Sequence, residues 1–361
     1  MIFAFDDITR LLISLIEQPS FSKEEEKTAG IIESFFRNLN IPVQRKHNNV
    51  WVRNRHFDLQ KPTVLLNSHL DTVQPRFGWT SDPFSPIVDN EKITGLGSND
   101  AGASLVCLAA AFLEFYDMTD LRYNIIFLAS AEEEISGKNG IGSVLNDLGE
   151  LNFAIVGEPT MMKMAIAEKG LMVIDCVAEG ISGHAARDIG KNAIYVALKD
   201  ITWIRDYKFP KESEMLGSVN MTVTMIHSGS QHNVIPDQCE FVIDIRSTDK
   251  YTNEEILDLL RDNLASTIKA RSTRLQPSGI KRDHILVKIA ERLGIDTFGS
   301  ETLSDQALLP FPSVKIGPGD SNRSHAPEEF ILIDELRAGI NGYIQILKQI
   351  NHSFSHSKIN K

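Results

Sequence analysis

The sequence predicts an α/β protein: a mostly parallel sheet with flanking helices, into which a smaller α+β domain is inserted. In the first part of the chain, apolar strand-like runs alternate with helical segments. After about residue 170, several strands alternate apolar and polar residues, as the strands of a one-sided antiparallel sheet do. The first pattern returns near the C-terminus, which indicates that both ends of the chain build the larger domain.

The elements of the larger domain follow from apolar periodicity. The apolar residues between Ile8 and Ile16 recur at helical spacing, which predicts a first helix. Ser22 can cap a second helix that includes Phe35 and Phe36. We then predict strands over 62–69, 123–130 and 151–157, and helices over 103–116 and 140–148. This alternation favours a mostly parallel sheet with both faces covered.

The inserted domain is predicted from the order of its elements. Between GLMVIDCVAEG and KARSTRL the order is strand, helix, strand, strand, helix, strand, which is the split βαβ arrangement of a ferredoxin-like unit. Helices over 283–293 and 331–350 then resume the first pattern. We therefore predict one domain formed by 1–170 and 281–361, and an inserted domain over 171–280.

Charge and composition exclude several classes of partner. The chain has 48 acidic residues and 37 Lys plus Arg, giving a net charge of −11, so a nucleic-acid partner is not expected. The N-terminus lacks the basic flank of a signal peptide, and no run approaches the ~18 apolar residues of a membrane-spanning helix. The three cysteines are scattered, as in a reducing compartment. We expect a cytoplasmic protein without a membrane partner.

Acids and histidines follow the predicted strands of the larger domain. Because the carboxyl ends of parallel strands share one edge of a sheet, these side chains are expected to converge there. So many carboxylates cannot all ionise in a dry site without a counter-charge, and a divalent metal supplies one. Histidine with carboxylate ligands, without thiolate, suits catalytic Zn, or Co and Mn. The residues are His69, Asp71, Asp100, Glu132, Glu133, Glu134, Glu158 and His325.

Each motif alone has another interpretation. A His-x-Asp after a strand is often structural, and a run of glutamates is usually a solvated helix start. The turn GLGSND is similar to a dinucleotide-binding turn but lacks its third glycine. The combination and its order carry the prediction.

Seven segments, in order, resemble the di-zinc aminoacylase family, and the resemblance extends from about residue 8 to 348. The family includes acetylornithine deacetylases, succinyl-diaminopimelate desuccinylases, aminoacylases and carboxypeptidase G-type enzymes. The segments are SHLDTV (68–73), GLGSND (95–100), SAEEEISG (130–137), VGEPT (156–160), GISGHAA (180–186), NVIPDQCEFVIDIR (233–246) and SHAPEEF (324–330).

The resemblance implies two divalent metal ions bridged by Asp100. His69 and Glu158 would complete one metal site, and Glu134 and His325 the other. Asp71 would accept the second ring N–H of His69 and fix its tautomer. Glu133 would be the general base that acts on the metal-bridging water, and Glu132 would take the position flanking the two working glutamates.

The resemblance also implies roles for the inserted domain, 171–280, as a dimerisation and lid domain of a homodimer. His184 would reach the active site of the partner subunit and stabilise the carbonyl oxygen. Asn233 and Arg246 would hold the α-carboxylate of the substrate, Arg246 through a bidentate fork.

The implied function is hydrolysis of a small N-acyl amino acid, with acetyl or succinyl ornithine or citrulline of arginine biosynthesis as the nearest substrates. Alternatives are a succinyl-diaminopimelate desuccinylase of lysine biosynthesis, a dipeptidase, and an inactive binding relative that kept the fold. Two positions bear on specificity. Gly102 stands where the family has lysine, and Arg323, two residues before His325, is a candidate for binding a succinyl carboxylate.

Overall fold

The computed structural model describes residues 4–187 and 189–356, with side chains through Phe354. The described chain divides into two compact units. Unit 1 comprises the described residues up to Ile166, Ile280–Phe298 and the residues from Ser304 onward. Unit 2 comprises Ala167–Gly279 and Gly299–Leu303, the latter a segment that no sequence pattern singled out.

The helices of the described chain are mostly amphipathic. They are α1 (Phe5–Ile16), α2 (Glu26–Asn38), α3 (Ala103–Phe115), α4 (Leu145–Leu148), α5 (Ala193–Asp206), α6 (Asn253–Asn263), α7 (Ile285–Leu293) and α8 (Ile333–His356). No helix in the described residues combines the length and the apolar character needed to cross a bilayer.

The strands of the described chain range from two to ten residues in length. They are β1 (Val43–Lys46), β2 (Asn49–Arg53), β3 (Thr63–His69), β4 (Ile87–Val88), β5 (Lys92–Thr94), β6 (Asn124–Ser130), β7 (Phe153–Val156), β8 (Met164–Glu168), β9 (Gly170–Glu179), β10 (Gly183–His184), β11 (Asn220–Ser228), β12 (Val234–Ile235), β13 (Gln238–Ser247), β14 (Thr267–Ala270), β15 (Ser278–Gly279), β16 (Thr297–Ser300), β17 (Ser313–Lys315) and β18 (Phe330–Leu332).

Unit 1 is built on a sheet whose central strands are parallel. The order is β1-β2-β6-β3-β7-β17-β8. The pairs β6–β3, β3–β7 and β7–β17 are parallel, and the strands outside them pair antiparallel. Every residue of β3 and β6 is buried, as expected for central parallel strands covered on both faces. The predicted α/β class is confirmed.

Helix α3 is the most deeply buried helix of this unit. All of its residues except Glu114 are buried, because it packs against β3 on one side and α8 on the other. A helix that is apolar around its whole circumference is typical of such a position. The turn that begins α3 carries Asp100, so the burial of α3 fixes this end of the turn.

Unit 2 has the predicted split βαβ order. Its four-stranded antiparallel sheet has the order β11-β13-β9-β14, and β9 alternates buried and half-exposed residues. Helices α5 and α6 both contact β9, and the core includes Ile174, Phe241 and Ile243. Apolar and polar residues alternate along these strands because only one face of the sheet is covered.

Several elements differ from the sequence prediction. Helix α2 begins at Glu26, and Ser22 does not cap it but donates to Asp71. The helix predicted over 140–148 is a 3₁₀ turn, Ile141–Ser143, followed by the short α4. The helix predicted to end at residue 350 continues to His356 as α8. The hairpin β1–β2 has no counterpart among the predicted elements, because the polar strand β1 (VQRK) contains no apolar run. Its pairing with β2, which buries Trp51 and Val52, is a tertiary effect.

Candidate metal-binding active site

His69 is placed by the strand that it ends. Its side chain is 1% exposed, and its Nδ1 lies 2.8 Å from the backbone carbonyl oxygen of Asp71. The Asp71 carboxylate is farther away, with Oδ1 at 3.6 Å. The backbone carbonyl oxygen is therefore the nearer acceptor for the ring N–H, and the expected role of the Asp71 carboxylate as acceptor stays a prediction. The tautomer assignment is unaffected, since Nε2 still faces the site.

The Asp71 carboxylate instead holds the segment that carries the glutamates. It accepts the backbone N–H of Glu133 at 3.0 Å, the N–H of Glu134 at 3.1 Å and the Ser22 hydroxyl at 2.7 Å. The two N–H groups open the short 3₁₀ turn Glu133–Ile135, where a carboxylate satisfies otherwise unpaired donors. Asp71 is thus a positioning residue for Glu133 and Glu134.

Asp100 lies between the two histidines. Its Oδ1 is 3.2 Å from the Nε2 of His69, and its Oδ2 is 3.7 Å from the Nε2 of His325. Glu158 approaches the same nitrogen of His69 at 3.8 Å, while both carboxylate oxygens of Glu134 lie 3.1 Å from His325 Nε2. One carboxylate therefore faces two imidazoles, each of which has a second carboxylate beside it.

Two overlapping sets of possible ligand atoms result. The atoms of His69, Asp100 and Glu134 lie within 4.8 Å of one another, and so do those of His69, Glu133 and Glu158. Because Glu133 and Glu134 both take part, distance alone does not separate a base from a ligand. That distinction stays a prediction.

Burial and mutual repulsion perturb the acids of this cluster. Burial and nearby carboxylates raise the pKa of Glu133 and of Glu158 well above the usual range, against the lowering effect of His69. Asp100 behaves differently, because contact with His69 and the charge of His325 overcome burial and lower its pKa. The pKa of His69 is raised despite its burial, since Asp100 and Asp71 lie beside it.

These shifts test whether the residues fit divalent metal ions. The cluster has more carboxylates than its two imidazoles can neutralise, so the charged forms of Glu133 and Glu158 are disfavoured when no cation is present. A divalent cation reverses that preference and turns the carboxylates into ligands. Imidazole and carboxylate donors suit Zn, Co or Mn. The residues fit such ions.

The flanking Glu132 points to a different partner. Its carboxylate accepts the backbone N–H of Asn139 at 3.2 Å and the side-chain amide of Asn139 at 3.0 Å. Gly137 permits this arrangement, because a Cβ there would lie 1.9 Å from Glu132 Oε2. Glu132 therefore closes the loop after the glutamates and stays outside both sets of ligand atoms.

Two buried acids near the cluster were not predicted. Glu329 Oε1 accepts the backbone N–H of Asn99 at 2.8 Å and of Asp100 at 2.9 Å, and burial with the charge of Asp100 raises the Glu329 pKa to about 8. Asp305 accepts the Asn67 amide and the Ser130 hydroxyl, and burial raises its pKa to about 6. Glu329 belongs to the segment SHAPEEF, so its motif was visible, but its partner, a backbone amide, was not.

The two specificity candidates in unit 1 have structural explanations. Arg323 forms a bidentate ion pair with Glu335, at 2.6 and 3.0 Å, and its guanidinium carbon lies 4.4 Å from the centre of the Phe330 ring. The fork that was to bind a succinyl carboxylate is therefore occupied. Gly102 has no room for a side chain, because a Cβ there would lie 2.4 Å from the carbonyl oxygen of Gly97.

Within unit 2, the structure brings His184 and Asn233 together. His184 in β10 is opposite Val234 in β12, and the N–H of Ala185 donates to the carbonyl of Asn233 at 3.0 Å. The imidazole of His184 is exposed, and its Nδ1 accepts the N–H of Ala186.

Arg246 lies elsewhere in unit 2. It is opposite Leu171 at one end of the β13–β9 pair, whereas β10 and β12 lie beyond the other end, where Gln238 is opposite Glu179. The guanidinium contacts Asp244 on its own strand at 2.8 and 3.3 Å. The structure therefore separates Arg246 from the other two predicted substrate-binding residues.

Comparison with known proteins gives relatives over nearly the whole chain. In an alignment of 379 positions, the chain is 30% identical to an acetylornithine deacetylase of Klebsiella pneumoniae (strain 342). The alignment covers 94% of this chain and 96% of the relative. It is 27% identical over 354 residues to a [LysW]-lysine/[LysW]-ornithine hydrolase of Sulfurisphaera tokodaii, covering 95% of each.

Solved structures share the fold at lower identity. A tripeptidase from Staphylococcus aureus has a TM-score of 0.77 and 21% identity, covering 97% of this chain and 99% of the other. An M20 family metallo-carboxypeptidase from Sulfolobus solfataricus has a TM-score of 0.74 and 18% identity, covering 96% and 100%. Residues 65–349 match the model of peptidase family M20/M25/M40. The resemblance seen in the sequence is thereby confirmed, and the chain belongs to peptidase family M20/M25/M40.

Proposed function

We propose that this hydrolase removes the acyl group from the α-nitrogen of a small amino acid, with N-acetyl or N-succinyl ornithine or citrulline as substrate. The observation that carries the proposal is the position of Asp100 between His69 and His325, with Glu158 and Glu134 beside them. The acetylornithine deacetylase and [LysW]-ornithine hydrolase relatives support a substrate of the acyl-ornithine class.

Two divalent ions, with zinc preferred over cobalt or manganese, would be held by five side chains. Asp100 would be shared, His69 and Glu158 would complete one site, and Glu134 and His325 the other. Such ions supply positive charge that lowers the pKa of a water and polarises a carbonyl oxygen.

The chain's own residues supply the proton transfers. Glu133 takes the proton from the attacking water and returns it to the leaving amine, a role that suits a carboxylate whose pKa lies above its usual range. Asp71 holds Glu133 at the start of its turn, so the base keeps its place during both transfers. His184 would donate to the carbonyl oxygen as negative charge develops there.

We further propose that the active unit is a homodimer, with unit 1 catalytic and unit 2 serving association and substrate cover. From Gln238 to Arg246 is eight residues of strand, or about 26 Å. An acyl amino acid spans only roughly 10 Å, about three extended residues. One substrate therefore cannot contact Arg246 and the His184–Asn233 pair of the same copy of unit 2, and a second copy has to supply one of them.

The surface of unit 2 supports association. Strand β11 is an edge strand on which Met225 and Ile226 are 51% and 52% exposed. Helix α5, which packs against β11, exposes Tyr195 and Leu198. An uncovered edge strand beside exposed apolar side chains is a liability unless a partner covers it.

Subunit complementation tests this arrangement. Two inactive variants, Glu133→Ala and His184→Ala, are mixed under conditions that exchange subunits. Hybrid dimers would contain one site with an intact Glu133 and an intact His184 from the partner, so activity should partly return. Demonstrated exchange without any recovered activity would mean that His184 acts within its own chain or not at all.

We place the protein in the cytoplasm and in arginine biosynthesis. Three buried, unpaired cysteines support a reducing compartment. The metabolic assignment depends on the substrate. A panel of N-acetyl and N-succinyl ornithine, citrulline and diaminopimelate, with dipeptides as a further set, is assayed for amine release with zinc or cobalt. Preference for diaminopimelate or for dipeptides would replace the ornithine assignment with that alternative.

A further inference from the structure

The loop that follows His69 and Asp71 is fastened to the loop that carries His325. Glu328 accepts four hydrogen bonds from the first loop: the backbone N–H and hydroxyl of Thr80, at 2.6 and 2.9 Å, and those of Ser81, both at 3.1 Å. Gly78 also lies against Pro327, since a Cβ at Gly78 would be 3.1 Å from the proline ring. The chain just before Thr80 is therefore held next to the loop that carries His325.

Two side chains at the tip of this loop take no part in fastening it. Phe77 is fully exposed, and Arg76 is exposed and forms no hydrogen bond or ion pair with any residue in the described ranges. Arg76 nevertheless lies close enough to His325 for its charge to act on the imidazole. A free guanidinium thus stands beside the His325 side of the candidate site.

Arg323 shows what a structural arginine looks like at this place. Its fork is closed on Glu335 and its plane lies over Phe330. Arg76 has neither contact, although an acidic cluster lies nearby. Its donors are free to bind an anion that arrives with the substrate, and guanidinium groups bind carboxylates through paired hydrogen bonds.

We propose that Arg76 binds a free carboxylate on the acyl group, so that the preferred acyl group is a short dicarboxylate such as succinyl. This inference rests on the proposed deacylase function. The family resemblance assigns Asn233 and Arg246, from two different copies of unit 2, to the α-carboxylate of the amino acid. Arg76 lies on unit 1 beside His325, so it is available to the acyl group on the other side of the scissile amide. The exposed ring of Phe77 offers apolar contact to the acyl methylenes.

The test compares N-succinylornithine with N-acetylornithine on zinc-loaded protein. Arg76→Ala should lower kcat/KM for the succinyl substrate by roughly tenfold to a hundredfold, the usual value of a hydrogen bond to a charged group, mainly through KM. The acetyl substrate should change little, and Arg76→Lys should recover part of the succinyl activity. Arg37→Ala, which removes an exposed charge on α2, is the control and should affect neither substrate.

Equal effects of Arg76→Ala on both substrates would overturn the proposal, as would a wild-type enzyme that prefers the acetyl substrate. If the wild type hydrolyses neither, the deacylase function itself fails. In that case, calorimetry measures the affinity of zinc-loaded wild type and Arg76→Ala for N-succinylornithine. Weaker binding by Arg76→Ala would support the anion site, and equal binding would contradict it.

Discussion

His69 ends a buried strand and is 1% exposed, whereas His325 lies in a loop with a left-handed φ of 58° and is 36% exposed. The strand positions His69 through its parallel hydrogen bonds to both neighbours. The loop of His325 instead relies on side chains, through Glu328 and Glu329, together with the Arg323–Glu335 pair. A functional side chain on regular structure needs few supporting side chains, whereas one on a loop depends on several.

The largest expected effect distinguishes the roles of Glu133 and Glu134. Glu133→Gln should retain metal but lose on the order of 10²–10⁴ in kcat, the usual contribution of a general base. Glu134→Gln should also lose metal affinity, because Glu134 faces the loop-borne His325. Turnover and metal content are measured on both variants. The reverse pattern would place the base at Glu134 and shift the assignment by one residue.

A smaller effect is expected from removing the Glu329 carboxylate, which supports the backbone at Asp100. Glu329→Ala leaves the N–H groups of Asn99 and Asp100 without their acceptor, so metal affinity should fall roughly 10- to 100-fold, as when other ligand-supporting residues are removed. Glu329→Gln keeps an acceptor oxygen and should recover most of that loss.

Ser22→Ala is the matched change in the region of His69 and Asp71, which follows β3. It removes one of three donors to Asp71, which keeps the two backbone N–H groups of Glu133 and Glu134. Its loss of metal affinity should be the smaller of the two. A loss as large as that of Glu329→Ala would contradict the difference drawn between strand and loop.

The smallest effect concerns pH. Hydrogen bonds from Thr80 and Ser81 lower the pKa of Glu328 to about 2, from an ordinary value near 4.5. A carboxylate with a depressed pKa stabilises the folded state fully above its unfolded pKa, and the contribution is lost as pH falls towards the folded value. The stability difference between wild type and Glu328→Gln should therefore be larger at pH 6 than at pH 3.

Thermal unfolding at the two pH values measures this difference. The exposed Glu150, changed to glutamine, serves as the control. A difference for Glu328→Gln that does not shrink at low pH would show that the Glu328 hydrogen bonds do not stabilise the loop.

The same contrast explains what the sequence could predict. The strands that end at His69 and shortly before Glu132 and Glu158 contain apolar runs, and their parallel pairing places these residues at one edge. The split βαβ order of unit 2 was likewise visible in alternating residues. Regular hydrogen bonding links such patterns to positions in space.

Contacts of side chains with groups that are not their sequence neighbours were not predictable. Nothing near Glu329 in the sequence indicates that its carboxylate accepts the N–H of Asp100, some 229 residues earlier. Asp71 was assigned to the His69 ring, yet its carboxylate binds the turn of Glu133, and Arg323 pairs with Glu335. In each case the competing partner is a group brought near only by the tertiary fold.

The central claim is that the strand-borne and loop-borne regions together hold two divalent ions that share Asp100. Elemental analysis of the purified, active protein, before and after exhaustive chelation, tests it most directly. We predict two divalent ions per chain in the active protein, loss of amine-releasing activity when they are removed, and recovery with zinc or cobalt. Full activity in protein that contains no divalent metal would contradict the claim.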